Sequence, residues 1–100
     1  MANYELRLRT KALADVRRIR VWYQKIDDSL EEQFLTALNA RLDRIQSNPL
    51  MYQVINRNTR RAMLQNFPYS VFSVVQDTRV IVVGVLHHKR NPELAESISE

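Results

Sequence analysis

The chain contains no cysteine, which removes disulfides and thiolate metal sites. His87 and His88 are its only imidazoles, so neither a structural nor a catalytic zinc is expected, and no cofactor is. It lacks any apolar run near the roughly 18 residues that a membrane-spanning helix requires. Its amino end has no basic segment followed by an apolar one, the pattern of a secretory signal. A cytoplasmic location without a membrane partner is therefore expected. There is no internal repeat, low-complexity tract or linker. The 100 residues suffice for one compact core but not two, so residues 1–100 are read as a single domain.

What is present is apolar surface and arginine. Apolar residues make up 45% of the chain and the net charge is +4. Twelve of the fifteen cations are arginine, the side chain best suited to bidentate recognition of carboxylate or phosphate. An acidic partner is implied, and basicity alone does not choose between nucleic acid and an acidic protein segment. Arg7, Arg9, Lys11, Arg17, Arg18, Arg20 and Lys25 load the first quarter, whereas Glu93, Glu96 and Glu100 make the tail acidic. For Arg17, Arg18 and Arg20 the plain reading is a solvated helix face.

Tyr4 to Arg9 alternates apolar and charged residues, the period of a strand with one solvated face. Thr10 is placed to cap a helix whose stripe runs Ala12, Val16, Ile19, Tyr23 and Ile26. Asp27-Asp28-Ser29 breaks that helix and opens a second. Ser29 and Glu32 stand at capping-box spacing, Glu31 adds negative charge near the amino end, and the stripe is Leu30, Phe34, Leu38, Leu42 and Ile45. Ser47-Asn48-Pro49 ends it. Leu50 to Asn58 reads as a loop pinned by Met51, Tyr52, Val54 and Ile55. Arg60 to Gln65 alternates as a strand, Tyr69 to Gln76 is another, and Asp77-Thr78 makes the turn into Val80 to Leu86, apolar except for Gly84 and therefore central. Asn91-Pro92-Glu93 resembles a helix start. The two helices need a surface to bury against, and the strands supply it. The order β-α-α-β-β-β follows, an α+β fold with a helical hairpin on a mainly antiparallel sheet containing a three-stranded meander.

The central strand ends in His87-His88-Lys89-Arg90, two titratable rings and two cations beyond its last buried residue, where function tends to sit. Phe67-Pro68-Tyr69 opening a strand, followed by a hairpin, an apolar strand and His-x-x-Arg-x-Pro at His87 to Pro92, resembles the RelE/ParE superfamily of small toxins from type II toxin–antitoxin systems. The ParE-like branch is the nearer. The likeness extends over nearly the whole chain, including Pro-x-x-Tyr at Pro49 to Tyr52 and the basic pair Arg60-Arg61.

The resemblance implies a toxin that serves plasmid or chromosome stabilisation, forms a hetero-oligomer with a cognate antitoxin, and acts on one of two targets. RelE-like members cut mRNA on the ribosome, whereas ParE-like members poison DNA gyrase and have no established catalytic residues. RNA cleavage needs a proton acceptor, a proton donor and a cation beside the phosphorane. Nuclease members commonly supply an arginine at the start of the middle meander strand and a histidine or tyrosine after the last one. His87 matches the second position, but Tyr69 occupies the first and cannot provide a fixed positive charge. The expectation is gyrase inhibition with no catalytic residue. The alternatives are a ribonuclease using His87, Arg61 and Arg90, and a diverged module that binds only its antitoxin. Target-binding candidates are Arg60, Arg61, Tyr69, His87, His88, Lys89 and Arg90; antitoxin-binding candidates are Trp22, Tyr23, Arg17 and Arg20. Tyr69 reads as an inward aromatic that seals the sheet end ahead of a base-stacking platform, and His87 suits a strand-end histidine bonded to the loop at least as well as a catalytic one.

Overall fold

The computed structural model describes residues 4–88, with the expected helical hairpin laid on a sheet. The elements are β1 (Glu5–Leu8), α1 (Thr10–Ile26), α2 (Asp28–Ser47), a 3₁₀ turn (Pro49–Met51), β2 (Gln53–Asn56), β3 (Thr59–Met63), β4 (Tyr69–Gln76) and β5 (Arg79–His87). The strand order is β1-β5-β4-β3-β2. Only β1 runs parallel to its neighbour, β5, because the helical hairpin between them provides the crossover that parallel strands require. The meander has four strands, not three. The segment from Leu50 to Asn58, read as a loop, contains β2, which pairs with β3 through Gln53↔Arg61 and Val54↔Arg60. Four residues with a bulge before Asn56 are too few to register as a period.

The pinning of that segment is also redistributed. Tyr52 packs on the main core and Ile55 on a second cluster, while Leu50, Met51 and Val54 are exposed. With a single glycine in the chain, the left-handed turn positions fall on Arg57, Asn66 and Asp77 at φ of 49°, 69° and 55°.

Both helix starts differ from expectation. Arg9, not Thr10, is the residue before α1, without a side-chain cap. Its amide donates to the Val82 carbonyl at 3.0 Å, which holds residue 9 extended, and the helix begins at Thr10 itself, one residue earlier than expected. At α2 the cap is Asp27, whose carboxylate accepts from the Ser29 amide at 2.9 Å. Ser29 thus lies inside the helix and no Ser29–Glu32 box forms there. Ile26, expected in the buried stripe, is exposed because α1 ends at that residue.

The core lies between hairpin and sheet. Ala12, Ile19, Phe34, Leu38, Leu42 and Ile45 meet Ala62, Leu64, Tyr69, Val71, Val80, Val82 and Val85. Phe72, Val83 and Leu86 gather on the sheet's other face with Ile55, Val74 and Ile81 against them, which explains the uninterrupted apolar run of β5. The strand is interior, as expected, between β1 and β4. The β4–β5 ladder carries a bulge: Phe72 pairs with Gly84 but Ser73 with Val82, leaving Val83 as an extra residue that shifts the alternation beyond it.

Candidate functional site

The strand end singled out by sequence is built around one cross-strand pair. Tyr69 opens β4 directly opposite His87, the last residue of β5. Their rings meet edge to face, with centroids 5.2 Å apart and planes at 86°. Tyr69 is 5% exposed and belongs to an aromatic group under the hairpin, 5.8 Å from Phe34 and 6.4 Å from Tyr23. Phe67 closes that group, 5.4 Å from Tyr23 and 5.7 Å from Phe34. Such tilted and edge-on contacts suit ring quadrupoles. The Pro68 carbonyl accepts from the His88 amide at 2.9 Å, so the ladder continues one residue past the strand, and a proline fits at this entry because no donor is required of it. Phe67-Pro68-Tyr69 is thus the seam between hairpin and sheet. Tyr69 is an inward aromatic, His87 is half-buried against it, and His88 is exposed.

The two arginines entering β3 diverge. Arg60 turns back toward the 3₁₀ turn and donates from Nη1 to the Leu50 carbonyl at 3.1 Å and the Tyr52 carbonyl at 2.7 Å. Arg61 is exposed and stands opposite Phe72. Residues directly opposite in a ladder share a face, so Arg61 lies on the face of the Phe72 cluster whereas His87 lies on the helix face with Tyr69. Along the strands the pairs Arg61↔Phe72 and Tyr69↔His87 are three β4 residues apart, roughly 10 Å at strand rise. Lys89 and Arg90, together with the Asn91-Pro92-Glu93 helix start, lie outside the described residues.

The antitoxin candidates on α1 separate likewise. Tyr23 faces the core. Arg20 bridges the hairpin, its Nε donating to Glu31 Oε2 at 2.7 Å, and Gln24 donates to the same oxygen at 2.8 Å. These bonds, with the Arg20 charge, hold the Glu31 carboxyl below its ordinary range. Trp22 and Arg17 do stand together, lining a shallow depression of about 420 Å³ with Ala14, Arg18, Val21 and Lys25. A larger groove, about 640 Å³, runs between α2 and the β3–β4 loop, past Glu32, Thr36, Ala40, Arg44, Asn66 and Phe67. Sequence reasoning missed it, since its walls come from segments distant along the chain. Asp15 was missed too: a carboxylate within a helical pattern reads as solvated, yet it is 1% exposed. Among the described residues no group of three or more His, Cys, Asp or Glu could hold a metal ion, and no helix is long and apolar enough to cross a membrane.

Against known families, residues 6–92 match the ParE toxin of the type II toxin–antitoxin system, parDE. The chain belongs to the ParE toxin family. Among solved structures, this ParE-family toxin is similar to a chain of a chromosomal ParDE TA system from P. aeruginosa, with a TM-score of 0.76 over 85% of this chain and 96% of that one. At 15% identity that likeness speaks for the fold alone, and the fold agrees with the α+β order. No curated protein matches the sequence. Family membership makes the chain a ParE-type toxin of a type II toxin–antitoxin system and implies an antitoxin as partner.

Proposed function

We propose that this ParE-family toxin inhibits DNA gyrase by binding, without a chemical step of its own, and that a cognate antitoxin neutralises it. The observation that carries this reading is the separation of His87 from Arg61. General acid–base cleavage of RNA needs the proton-transfer group and the cation on one phosphate, and these two side chains stand on opposite faces of the sheet. Arg60 lies nearer the helix side, but its guanidinium is held by two backbone carbonyls. Tyr69, at the position where nuclease relatives are expected to carry arginine, is part of the core. The arrangement supports recognition by exposed Arg61, His88 and the basic residues Lys89 and Arg90 that follow, with His87 setting the shape of the strand end. For the antitoxin, the depression around Trp22 and Arg17 combines an apolar floor with a basic rim, which suits an acidic, amphipathic segment.

Two assays run side by side test the target. Purified toxin is expected to block supercoiling by gyrase or trap its cleaved DNA complex, while mRNA on programmed ribosomes stays intact. In cells, pulse-labelling after induction is expected to show DNA synthesis failing before protein synthesis. His87→Ala is expected to remain toxic, or to lose toxicity only in step with stability. A ribonuclease would instead lose ~10²–10⁴-fold in rate with that group. A stable, antitoxin-binding His87→Ala chain without toxicity would overturn the proposal.

A further inference from the structure

The bulge in β5 decides which residues of the strand end face the helices, and just beyond it the strand meets the side chain of Asp15. Val80 and Val82 belong to the helix-side core. Regular alternation would continue that side with Gly84 and Leu86 and send Val85 and His87 to the other. The observed order is the reverse: Val85 packs with the helix-side core, Leu86 with Phe72 and Val83 on the far face, and His87 meets Tyr69. The extra residue Val83 produces that inversion.

The bulge falls where β5 loses its neighbour. The last β1 pairing is Leu8↔Val82, followed by the Arg9 amide to the Val82 carbonyl; beyond it the chain has turned into α1. The Val85 amide is therefore left on an open edge, inside the protein, and an unpaired buried donor is costly. Asp15 Oδ2 accepts it at 3.0 Å. The carboxylate is itself fixed, with Lys11 Nζ 2.7 Å from Oδ2 and Arg18 Nη2 2.5 Å from Oδ1, and its side chain is 2% exposed.

We infer that Asp15 is a positioning residue, whose hold on the Val85 amide keeps the bulge in place and thereby sets His87 on the helix side against Tyr69. Without the extra residue, the Ser73↔Val82 register continues to Tyr69↔Leu86, and His87 moves to the face that carries Arg61. A one-residue slip flips every later side chain, so one carboxylate on α1 controls which imidazole surface the strand end presents.

Nuclear magnetic resonance on the full isotopically labelled chain tests this without any target, so its outcome is separate from that of the gyrase reading. The unsubstituted protein is expected to show a through-hydrogen-bond coupling between the Val85 amide nitrogen and the Asp15 carboxyl carbon, and a ring-to-ring Overhauser contact between Tyr69 and His87. Absence of the coupling overturns the inference. Asp15→Asn retains an acceptor and is expected to keep both the contact and slow Val85 exchange. Asp15→Leu fills the space without an acceptor. Its Val85 exchange is expected to rise about 10- to 100-fold, the equivalent of one hydrogen bond to a charged group, and the Tyr69 contact is expected to pass from His87 to Leu86. A folded Asp15→Leu chain that keeps the Tyr69–His87 contact overturns the inference. Should the leucine chain not fold, Asp15→Asn decides: Val85 protection and the ring contact are retained or lost together, and their parting overturns it.

Discussion

Arg60 and Arg61 are adjacent cations on one strand, and their surroundings give them unlike work. The Arg60 guanidinium satisfies the Leu50 and Tyr52 carbonyls, which sit at the 3₁₀ turn between α2 and β2 where no strand or helix partner exists. Hydrogen bonds to a charged group contribute about 1.5–3 kcal/mol. Arg60→Met, which preserves the aliphatic stem, is expected to lower unfolding stability by about that amount, chiefly through the part-buried Tyr52 carbonyl, since the exposed Leu50 carbonyl regains water. Arg61→Met, at an exposed position, is expected to stay within roughly 0.5 kcal/mol of the parent. Urea denaturation of the two variants gives the comparison, and equal losses would contradict the latch assigned to Arg60.

At the scale of elements, the hairpin is held by its aromatic and aliphatic interior and by a polar bridge near its turn. Glu31 accepts from Arg20 and Gln24 of α1, and its pKa is lowered, first by the Arg20 hydrogen bond and then by Gln24. Asp27, capping α2, is also lowered, by the Ser29 amide. A carboxyl with a depressed folded-state pKa adds stability that is fully present above its unfolded value and is lost as pH falls through the folded one. The hairpin is therefore expected to weaken only below the ordinary carboxylate range, under about pH 4. Thermal unfolding of the parent and Glu31→Gln at neutral pH and at pH 3 checks this. The parent is expected to be the more stable at neutral pH, with the difference shrinking in acid; a difference that grows in acid would reverse the sign of the argument.

For the whole molecule, the net charge of +4 is arranged so that α1 presents cations beside exposed apolar side chains. Leu13, Val21 and Trp22 are 55%, 44% and 46% exposed, and Arg17, Arg18 and Lys25 flank the depression that Val21 and Trp22 line. If the antitoxin docks here, the apolar centre should carry affinity and the basic rim should carry association rate. Trp22→Ala is expected to weaken the complex with the cognate antitoxin by about 2 kcal/mol or more, as for a central aromatic anchor. Arg17→Glu is expected to slow association at low salt, with the penalty fading as the salt concentration rises. Binding kinetics at two ionic strengths separate the two contributions, and a Trp22→Ala chain with unchanged affinity would move the interface elsewhere.

Period determined the helical hairpin, β1 and β3, which carry repeats of 3.6 or 2 long enough to stand above noise, whereas β4 and β5 were marked by apolar content and by the Asp77-Thr78 turn between them. The apolar run of β5 also announced an interior strand. The strand β2 was hidden, since four residues with a bulge leave no period to read. At the site, the position of the strand end was legible in His87-His88-Lys89-Arg90, and the inward role of Tyr69 was one of the two readings open to it. What the tertiary structure alone decided is which way those residues face. The Val83 bulge inverts the alternation that a regular strand would continue, and the carboxylate that meets the Val85 amide beyond it comes from Asp15, 70 positions earlier in the chain. A local pattern specifies the period of a strand, but its phase past a bulge depends on a buried amide finding a partner, and that partner is supplied by another element.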